Sequence, residues 1–325
     1  MLIMFLLIAI ILSGFVLVVG RLALIEYRRD RIPILTYHRI VSLEDLSQCK
    51  RDSYVVSESQ FKKHMEFLRE QGFTTIDLDD YLYFRKHKNE LPPKPLIITF
   101  DDGYENNYTY AYPILHAFGF KAVIYSVSDP GAEEFNAFEF PEHLLSPEQM
   151  RELSRNRISI QAHTKSHAHL IFLTDDKIRE ELEDCKYTLE SVTNKQVIHL
   201  AIPYGSYDTR VFNIARKLGY KTIAVPGNGT TNLATDPYHL RRFSIHTSTT
   251  VRELEHIVAS PLYAIINRLY AAGHLIIRYT LGQKFEGRLK ILFARFGLDN
   301  PKSLIAVAVA VLVMTCIYVL FGYFY

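Results

Sequence analysis

The chain has 325 residues, of which 48% are hydrophobic and 22% charged, so it can bury a sizeable core and global disorder is excluded. Its 37 basic and 35 acidic residues give a net charge of +2. We therefore expect no nucleic-acid partner, because such a protein needs a clustered basic excess. The three cysteines, Cys49, Cys185 and Cys316, fit neither a zinc-ribbon spacing nor a disulfide scaffold.

Both ends of the sequence are apolar. Residues 1–20 carry no charged side chain and are long enough to cross about 30 Å of hydrocarbon, so residues 1–24 are predicted to be a transmembrane anchor. The alternative, a cleaved signal peptide, is disfavoured because no basic residue precedes the apolar run. Residues 303–325 are also uncharged and are predicted to form a second transmembrane helix.

Residues 261–302 form a basic amphipathic segment with seven basic and two acidic residues. Its interleaved apolar side chains are typical of helices that lie in the interface of an anionic membrane, and an ordinary amphipathic helix packed on the domain is the alternative. Lys and Arg flank the two apolar runs only on their inner sides. The positive-inside rule therefore predicts a two-span cell-membrane protein with its middle in the cytoplasm and both termini outside.

The middle of the chain alternates β-like runs with helical patterns. Seven runs are predicted to be strands: Pro33–His38, Pro95–Asp102, Lys121–Val127, Ile158–Thr164, Val197–Pro203, Lys221–Pro226 and His239–His246. Helices are predicted over 57–71, 106–118, 147–156, 174–192, 208–218 and 249–258. This alternation indicates an α/β fold with a parallel sheet, and the number of units favours a (β/α)7-type barrel over an open sheet, in a catalytic domain of residues 32–258.

Polar residues cluster where these predicted strands end. They are His38, Asp101, Asp102, His163, His167, Tyr204 and His246. Because the carboxyl ends of parallel strands converge on one face of a barrel, we expect these side chains to form an active site there.

Asp102, His163 and His167 supply one carboxylate and two imidazoles, a set that suits a divalent ion with open positions for water. His163 and His167 are four residues apart, so a helical turn would place them on one face. An HxxxH pair or an Asp-Asp-Gly turn alone is a weak signal, but together, at neighbouring strand ends, they predict one metal site. Zinc is the expected ion, with cobalt, nickel and manganese left open.

The remaining polar residues indicate hydrolysis of an amide or ester. Asp101 is free to accept a proton from water that the ion acidifies. His246, from another strand end, is the candidate that protonates the leaving group. The backbone amide of Tyr204, in a Pro-Tyr-Gly turn, is the candidate that stabilises a developing oxyanion.

Three motifs carry a family resemblance: Thr99–Gly103 (TFDDG), His163–His167 (HTKSH) and Pro203–Gly205 (PYG). In this order and spacing they resemble the NodB-type polysaccharide deacetylases of carbohydrate esterase family 4. Two further stretches, ILTYHRI at 34–40 and SESQFKKHMEFLREQGFTTIDLDD at 57–80, are similar to the subgroup that deacetylates poly-N-acetylglucosamine. The resemblance extends over about residues 32–258.

The resemblance implies a distorted, NodB-like (β/α) barrel of about seven strands and a zinc-like divalent ion. It implies the role of base for Asp101, of metal ligands for Asp102, His163 and His167, and of acid for His246. The last role rests on the phrase FSIH that ends at His246, which matches the Leu-x-Ile-His phrase of the family except for its Phe.

One position departs from the family pattern. The family often has an arginine two residues before the proline of the Pro-Tyr-Gly motif, where it steadies the base, and this chain has Ala201 there. Arg241 and Arg242 are the candidates to take that role. His38 is an alternative acid, although hydrogen bonding that braces the site from the first strand is its favoured role.

We therefore expect removal of an N-acyl group, with N-acetyl favoured, from an amino sugar. The predicted membrane ends favour a glycolipid or lipid-linked sugar as substrate, with membrane lipids as further partners. The alternative substrate is a poly-N-acetylglucosamine-type surface polymer. An inactive glycan-binding scaffold for a synthase and a metal-dependent phosphodiesterase are alternatives of other classes, and the paired aspartates and histidines disfavour both.

Overall fold

The computed structural model describes residues 31–47, 49, 52–129, 143–227 and 229–259. All of them belong to one compact unit, Ile25–Ser260. The predicted anchor at 1–24, the basic segment at 261–302 and the second predicted span at 303–325 lie outside the described residues. Among the helices that are described, none combines the length and the apolar character needed to cross a membrane.

Seven strands form a closed parallel barrel. In chain order the described strands are β1 Ile34–Tyr37, β2 Arg39–Val41, β3 Val55–Ser57, β4 Thr74–Thr75, β5 Pro95–Phe100, β6 Ala122–Ser126, β7 Ile158–Ala162, β8 His199–Ala201, β9 Thr222–Pro226 and β10 Leu240–Ser244. The ring runs β1-β10-β9-β8-β7-β6-β5, and β1 closes it by pairing in parallel with both β10 and β5. The prediction of a seven-stranded parallel barrel is confirmed, and each predicted run contains one strand of the ring.

Three short strands lie outside the ring, and the sequence patterns predict none of them. β4 pairs with the start of β5, and β2 pairs with β3 in a separate parallel sheet. Strands of two or three residues are too short to show an alternating pattern, so periodicity cannot locate them. Only His38 separates β1 from β2, so the small sheet extends from the carboxyl end of β1.

Helices fill the connections between strands. They are α1 Leu43–Leu46, α2 Glu58–Glu70, α3 Leu78–His87, α4 Tyr112–Phe118, α5 Pro147–Arg155, α6 Asp175–Thr193, α7 Thr209–Lys217 and α8 Val251–Ala259. All six predicted helical regions are found within a residue or two of these bounds. The region predicted at 106–118 opens with a π-helical turn, Asn107–Ala111, before α4 begins.

Side-chain caps fix where the helices begin. Asp77 and Asp80 form a reciprocal capping box at α3, and Ser146 and Gln149 form one at α5. The apolar pattern misses α3, because only two of its ten residues are buried and its apolar stripe is therefore weak. The capping box is the sequence signal that locates this helix.

Apolar side chains from successive strands fill the barrel. The core cluster includes Ile34, Ile97, Val123, Tyr125, Ala201, Ala224 and Leu240, all nearly inaccessible to solvent. Removal of this apolar surface from water is the main stabilising contribution to the fold, at about 25 cal/mol per Å². It holds the strands so that their carboxyl ends meet at one rim, where parallel barrels place their active sites.

His64 of α2 connects β1, the first strand of the ring, with the segment that follows β10. Its Nε2 lies 2.9 Å from the carbonyl oxygen of Thr249, which can only accept, so Nε2 donates. Its Nδ1 then accepts from the hydroxyl of Tyr37, at 3.1 Å. Burial lowers the pKa of His64 to about 4, so this imidazole is neutral at physiological pH and serves the fold.

We expect Gly103→Ala to destabilise the fold more than Gly119→Ala. Both glycines have positive φ, +81° and +67°, so alanine costs about 1–2 kcal/mol at either position. A Cβ at Gly103 would also clash with Oγ of Ser126, whereas nothing lies within 4 Å of one at Gly119. Urea unfolding measures the difference. Equal losses of unfolding free energy would show that Gly103, after β5, and Ser126, at the end of β6, can move apart at no cost.

Candidate active site

Asp101 and Asp102 both lie buried at the end of β5, each about 5% exposed. The N–H of Asp101 donates to the carbonyl of Tyr37 at 3.0 Å, so Asp101 continues the strand pairing. Asp102 has a left-handed backbone with φ of 75°, a conformation that costs a non-glycine residue of order 1–3 kcal/mol. In a continuing strand, two adjacent carboxylates would point in opposite directions. This turn brings both of them to one strand end.

His163 and His167 lie on a loop after β7. The backbone is left-handed at Thr164, with φ of 67°, and at His167, with φ of 61°. The N–H of His167 donates to Oγ1 of Thr164 at 3.0 Å and holds this turn closed. The expectation that a helical turn aligns the two histidines is wrong, because two left-handed residues bring their ring centroids to 5.0 Å.

The three predicted metal ligands meet at this rim. Nε2 of His163 and Nε2 of His167 lie 3.3 and 3.2 Å from Oδ1 of Asp102. One candidate ligand atom from each residue lies within 4.8 Å of the others. A tetrahedral ion with bonds of about 2.0–2.2 Å keeps its ligand atoms roughly 3.3–3.6 Å apart, which is close to these separations. The donor set therefore fits a divalent cation such as zinc.

Hydrogen bonds at the opposite ring nitrogens orient both imidazoles. Nδ1 of His163 lies 2.9 Å from the carbonyl oxygen of Ala201, so Nδ1 carries the proton and Nε2 keeps its lone pair. Nδ1 of His167 lies 2.9 Å from the hydroxyl of Tyr204. Metal-binding histidines are commonly oriented in this way, through the nitrogen that does not bind the ion.

Asp102 is held in its ionised form. Burial raises the pKa of its carboxyl group, but the neighbouring imidazoles of His163 and His167 outweigh burial and hold this pKa well below its usual range. The carboxylate is therefore negative at neutral pH, the form that attracts a cation.

Arg242 of β10 forms a buried, bidentate ion pair with Asp101. Nη1 lies 2.5 Å from Oδ1 and Nη2 lies 2.7 Å from Oδ2. Burial raises the pKa of Asp101, but the charge of Arg242 outweighs burial, so this pKa lies below its usual value. Arg241 is exposed on the other face of β10. Of the two arginines that the sequence left open, Arg242 is the one that contacts the carboxylate.

His38 and His246 flank a third ring, Tyr54. The centroid of Tyr54 lies 4.6 Å from that of His38 and 4.9 Å from that of His246. Burial lowers the pKa of both imidazoles, and their Nδ1 atoms have no hydrogen-bond partner in the described part of the chain. The charges of Asp102 and Asp101 oppose this effect at His38, but burial outweighs them.

Sequence reasoning missed two contacts at this rim. Tyr54 precedes a three-residue strand, where no spacing pattern marks it. Tyr204 was selected for its backbone amide, and the structure adds its hydroxyl contact with His167. The Pro-Tyr-Gly turn holds Tyr204 at φ of 56°, with its side chain about half exposed.

Comparison with known proteins finds relatives among the polysaccharide deacetylases. The polysaccharide deacetylase family model matches residues 88–223. The Bacillus subtilis (strain 168) protein YxkH, which bears the name of a polysaccharide deacetylase, is 29% identical over 215 residues, 66% of this chain and 71% of YxkH. The chain is therefore similar to the polysaccharide deacetylases across the central part of its barrel. This deacetylase is therefore a hydrolase that acts on the C–N bond of N-acetyl groups.

Two further comparisons agree with this assignment. The deacetylase is 24% identical to the poly-beta-1,6-N-acetyl-D-glucosamine N-deacetylase of Staphylococcus aureus (strain MSSA476) over 215 residues, 61% of this chain and 72% of that one. Its fold matches the Streptococcus pyogenes deacetylase PplD, solved in complex with acetate, with a TM-score of 0.63 and 25% identity, over 71% of this chain and 99% of PplD. The NodB-like fold expected from the motifs is confirmed.

The family match at 88–223 covers only part of the site. It contains the paired aspartates, the paired histidines and Tyr204, while His38 precedes it and Arg242 and His246 follow it. The outlying residues lie directly after β1, on β10 and in the segment after β10. The first and last strands of the barrel therefore complete a site whose centre the family motifs define.

We expect Arg242→Met to destabilise the deacetylase by roughly 3–5 kcal/mol, because it leaves the buried carboxylate of Asp101 unpaired. Arg241→Met, on the exposed face of the same strand, is the matched control and should change the unfolding free energy by less than about 0.5 kcal/mol. Adding Asp101→Asn to Arg242→Met should recover most of the loss, since no buried charge remains. Urea unfolding measures all three, and a double variant as unstable as Arg242→Met would assign the loss to packing.

Proposed function

We propose that residues 32–258 form the catalytic domain of a metal-dependent N-deacetylase that acts on an amino sugar. One observation carries this proposal: an ionised carboxylate held by an arginine lies beside a separate set of three candidate metal ligands. Hydrolysis of an amide with the help of a metal ion needs a base and an open metal site side by side.

Asp102, His163 and His167 are proposed to hold the ion. Three protein ligands leave at least one position for water or substrate. A divalent ion bound there would supply Lewis-acid polarisation of the acetyl carbonyl and would lower the pKa of water to about 7. One carboxylate and two imidazoles suit zinc, with cobalt, nickel and manganese as alternatives.

Asp101 is proposed as the general base. Its ion pair with Arg242 keeps the carboxylate ionised at neutral pH and fixes both oxygens in one orientation. Each carboxylate oxygen has two lone pairs, so Asp101 can still accept a proton from the attacking water. Arg242 is therefore a positioning residue, which acts through the base.

The leaving amine needs a proton, and His246 is proposed to donate it. His38 is the alternative donor because the charges of both carboxylates act on it, and bracing the site remains its favoured role. The backbone N–H of Tyr204 is proposed to stabilise the developing oxyanion. The contact of Tyr204 with His167 supports this role, since it places the Pro-Tyr-Gly turn beside a proposed metal ligand.

An inactive glycan-binding scaffold is the alternative of another class. A pure binder gains nothing from a buried ion pair whose desolvation is costly, such as Asp101 with Arg242. It likewise gains nothing from the strained backbone of Asp102. Both features favour the enzyme, because catalysis uses the fixed base and the fixed metal ligand.

Two candidate substrates have different support. Basic residues on the inner flanks of the two apolar runs favour a cytoplasmic catalytic domain, and therefore a glycolipid or lipid-linked amino sugar with membrane lipids as partners. The name of the Staphylococcus aureus relative favours a poly-N-acetylglucosamine polymer. We propose the lipid-linked sugar as the first substrate to test and the polymer as its alternative.

We expect Asp102→Ala and His167→Ala to lose both bound metal and deacetylation, because each removes a ligand. Asp101→Asn should keep the metal and lower turnover by roughly 10²–10⁴-fold, because it removes only the base. Elemental analysis of the purified protein and acetate release from an N-acetylglucosamine oligosaccharide measure the two properties. His116→Ala, an exposed histidine of α4, is the matched control and should retain both.

Two outcomes would contradict these assignments. Full turnover by Asp101→Asn would reject Asp101 as the base. Metal content equal to that of the unmodified protein in both Asp102→Ala and His167→Ala would reject the ligand set. The base and the ligand set are tested separately, since metal content is measured independently of activity.

We expect a phosphatase reporter fused after Tyr325, active only outside the cytoplasm, to be active. A fluorescent protein that matures only in the cytoplasm should stay dark at the same position. Two spans would place this end opposite the catalytic domain, and the positive-inside rule places that domain in the cytoplasm. Fluorescence without phosphatase activity would place the domain outside and make the surface polymer the leading substrate.

A further inference from the structure

Tyr54 lies between the two candidate proton donors of the site. Its ring centroid is 4.6 Å from that of His38 and 4.9 Å from that of His246, at interplanar angles of 48° and 45°. Tyr54 is 41% exposed, whereas both imidazoles are half-buried. A side chain that contacts both rings restricts the rotation of each, so its effect does not depend on which of the two is the donor.

Asp52 holds the backbone of Tyr54. The N–H of Tyr54 donates to Oδ1 of Asp52 at 2.7 Å, and Oδ2 of the same carboxylate pairs with the guanidinium of Arg39. Arg39 is buried on β2, where its backbone pairs with that of Val55 on β3. The carboxylate therefore joins the turn before β3 to a buried cation on the neighbouring strand.

Arg39 also contacts the loop that carries the proposed base. Its guanidinium carbon lies 5.7 Å from the ring centroid of Tyr104, which is buried and follows the Asp-Asp-Gly turn directly. A guanidinium over the face of an aromatic ring is attracted by that ring. Arg39 thus fixes the turn that carries Tyr54 relative to the loop that carries Asp101.

The backbone on both sides of His246 is fixed as well. The N–H of Thr247 donates to the carbonyl of Ser53 at 2.8 Å, so the residue after His246 is bound to the same turn as Tyr54. The N–H of His246 itself donates to Oγ1 of Thr249 at 2.9 Å. Rotation of the imidazole about its side-chain bonds remains, and the contact with Tyr54 restricts this rotation.

We propose that Tyr54, held by the ion pair of Arg39 and Asp52, is a positioning residue for the proton donor. When the C–N bond of the acetamide breaks, its electron pair stays on nitrogen. The nitrogen takes the N–H proton of an imidazolium and leaves as the amine, while the donor becomes a neutral imidazole. Because this transfer needs the donor within hydrogen-bond reach of the nitrogen, a freely rotating ring donates less often. The inference rests on the proposed function, since it deepens the role of the donor.

Two substrates with different leaving groups test the inference. An N-acetylglucosamine oligosaccharide releases an amine, which must be protonated, whereas para-nitrophenyl acetate releases a weakly basic phenolate that needs no proton. Tyr54→Leu should lower kcat for the oligosaccharide by roughly 10- to 100-fold and kcat for the ester by less than about 2-fold, with little change in either KM. Tyr54→Phe keeps the ring and should restore the oligosaccharide-to-ester ratio.

Arg39→Met should lower the same ratio, because the turn that carries Tyr54 loses its ion pair. Both rates come from one preparation, so their ratio does not depend on the fraction of the protein that is folded. Tyr187→Leu, which replaces a tyrosine that is 75% exposed on α6, is the matched control and should leave the ratio unchanged. Equal losses on both substrates in Tyr54→Leu, or an unchanged ratio in that variant, overturn the inference.

Nuclear magnetic resonance of the full chain with isotope-labelled histidine separates this inference from the proposed function. Tyr54→Leu removes the ring current that acts on His38 and His246 and so identifies their resonances. Arg39→Met should move the same resonances and leave that of the exposed His116 in place. If the unmodified protein releases no acetate from the oligosaccharide, the proposed function fails, while the spectra still decide whether Arg39 fixes Tyr54 against the two imidazoles. Unmoved resonances in Arg39→Met overturn the inference.

Discussion

Pairing of β1 with both β5 and β10 closes the barrel, and the site depends on this closure. Tyr37 pairs with Phe100 on one side of β1, and Thr36 pairs with Ser244 on the other. The closure brings the last strand of the ring next to the first, so Arg242 reaches across β1 to Asp101, which directly follows β5. An open sheet with the same strands would leave this carboxylate without its cation.

The narrow interior of the barrel also explains how the chain manages with Ala201 where the family often has an arginine. Leu240 and Arg242 alternate with an exposed residue along β10, so both face the interior. Because the interior is only a few side chains wide, Arg242 delivers a guanidinium to Asp101 from a different strand than the one that carries Ala201. The family pattern thus reflects a position in space, which more than one strand can supply.

The ring strands and six of the helices could be predicted because hydrophobic periodicity and helix signals depend on neighbouring residues. Convergence of the site residues could also be predicted, since it follows from a parallel barrel alone. The left-handed turn at His167 could not, because a spacing of four residues between two histidines fits a helical turn as well as this loop. Tyr54 could not be predicted either, because no local pattern marks it as a contact of His38 and His246. For the cation that pairs with Asp101, the sequence left Arg241 and Arg242 open, and the alternation of buried and exposed residues along β10 selects Arg242.

The backbone of the site has a consequence for heat resistance. Asp102, Thr164, His167 and Tyr204 all adopt left-handed backbone conformations that glycine would occupy without strain. At these four positions, the residue that would give the most stable backbone therefore differs from the residue that the site contains. A laboratory selection for thermal stability alone would favour glycine at these positions and would remove the side chains that form the site. Such a selection therefore needs an activity screen at every round.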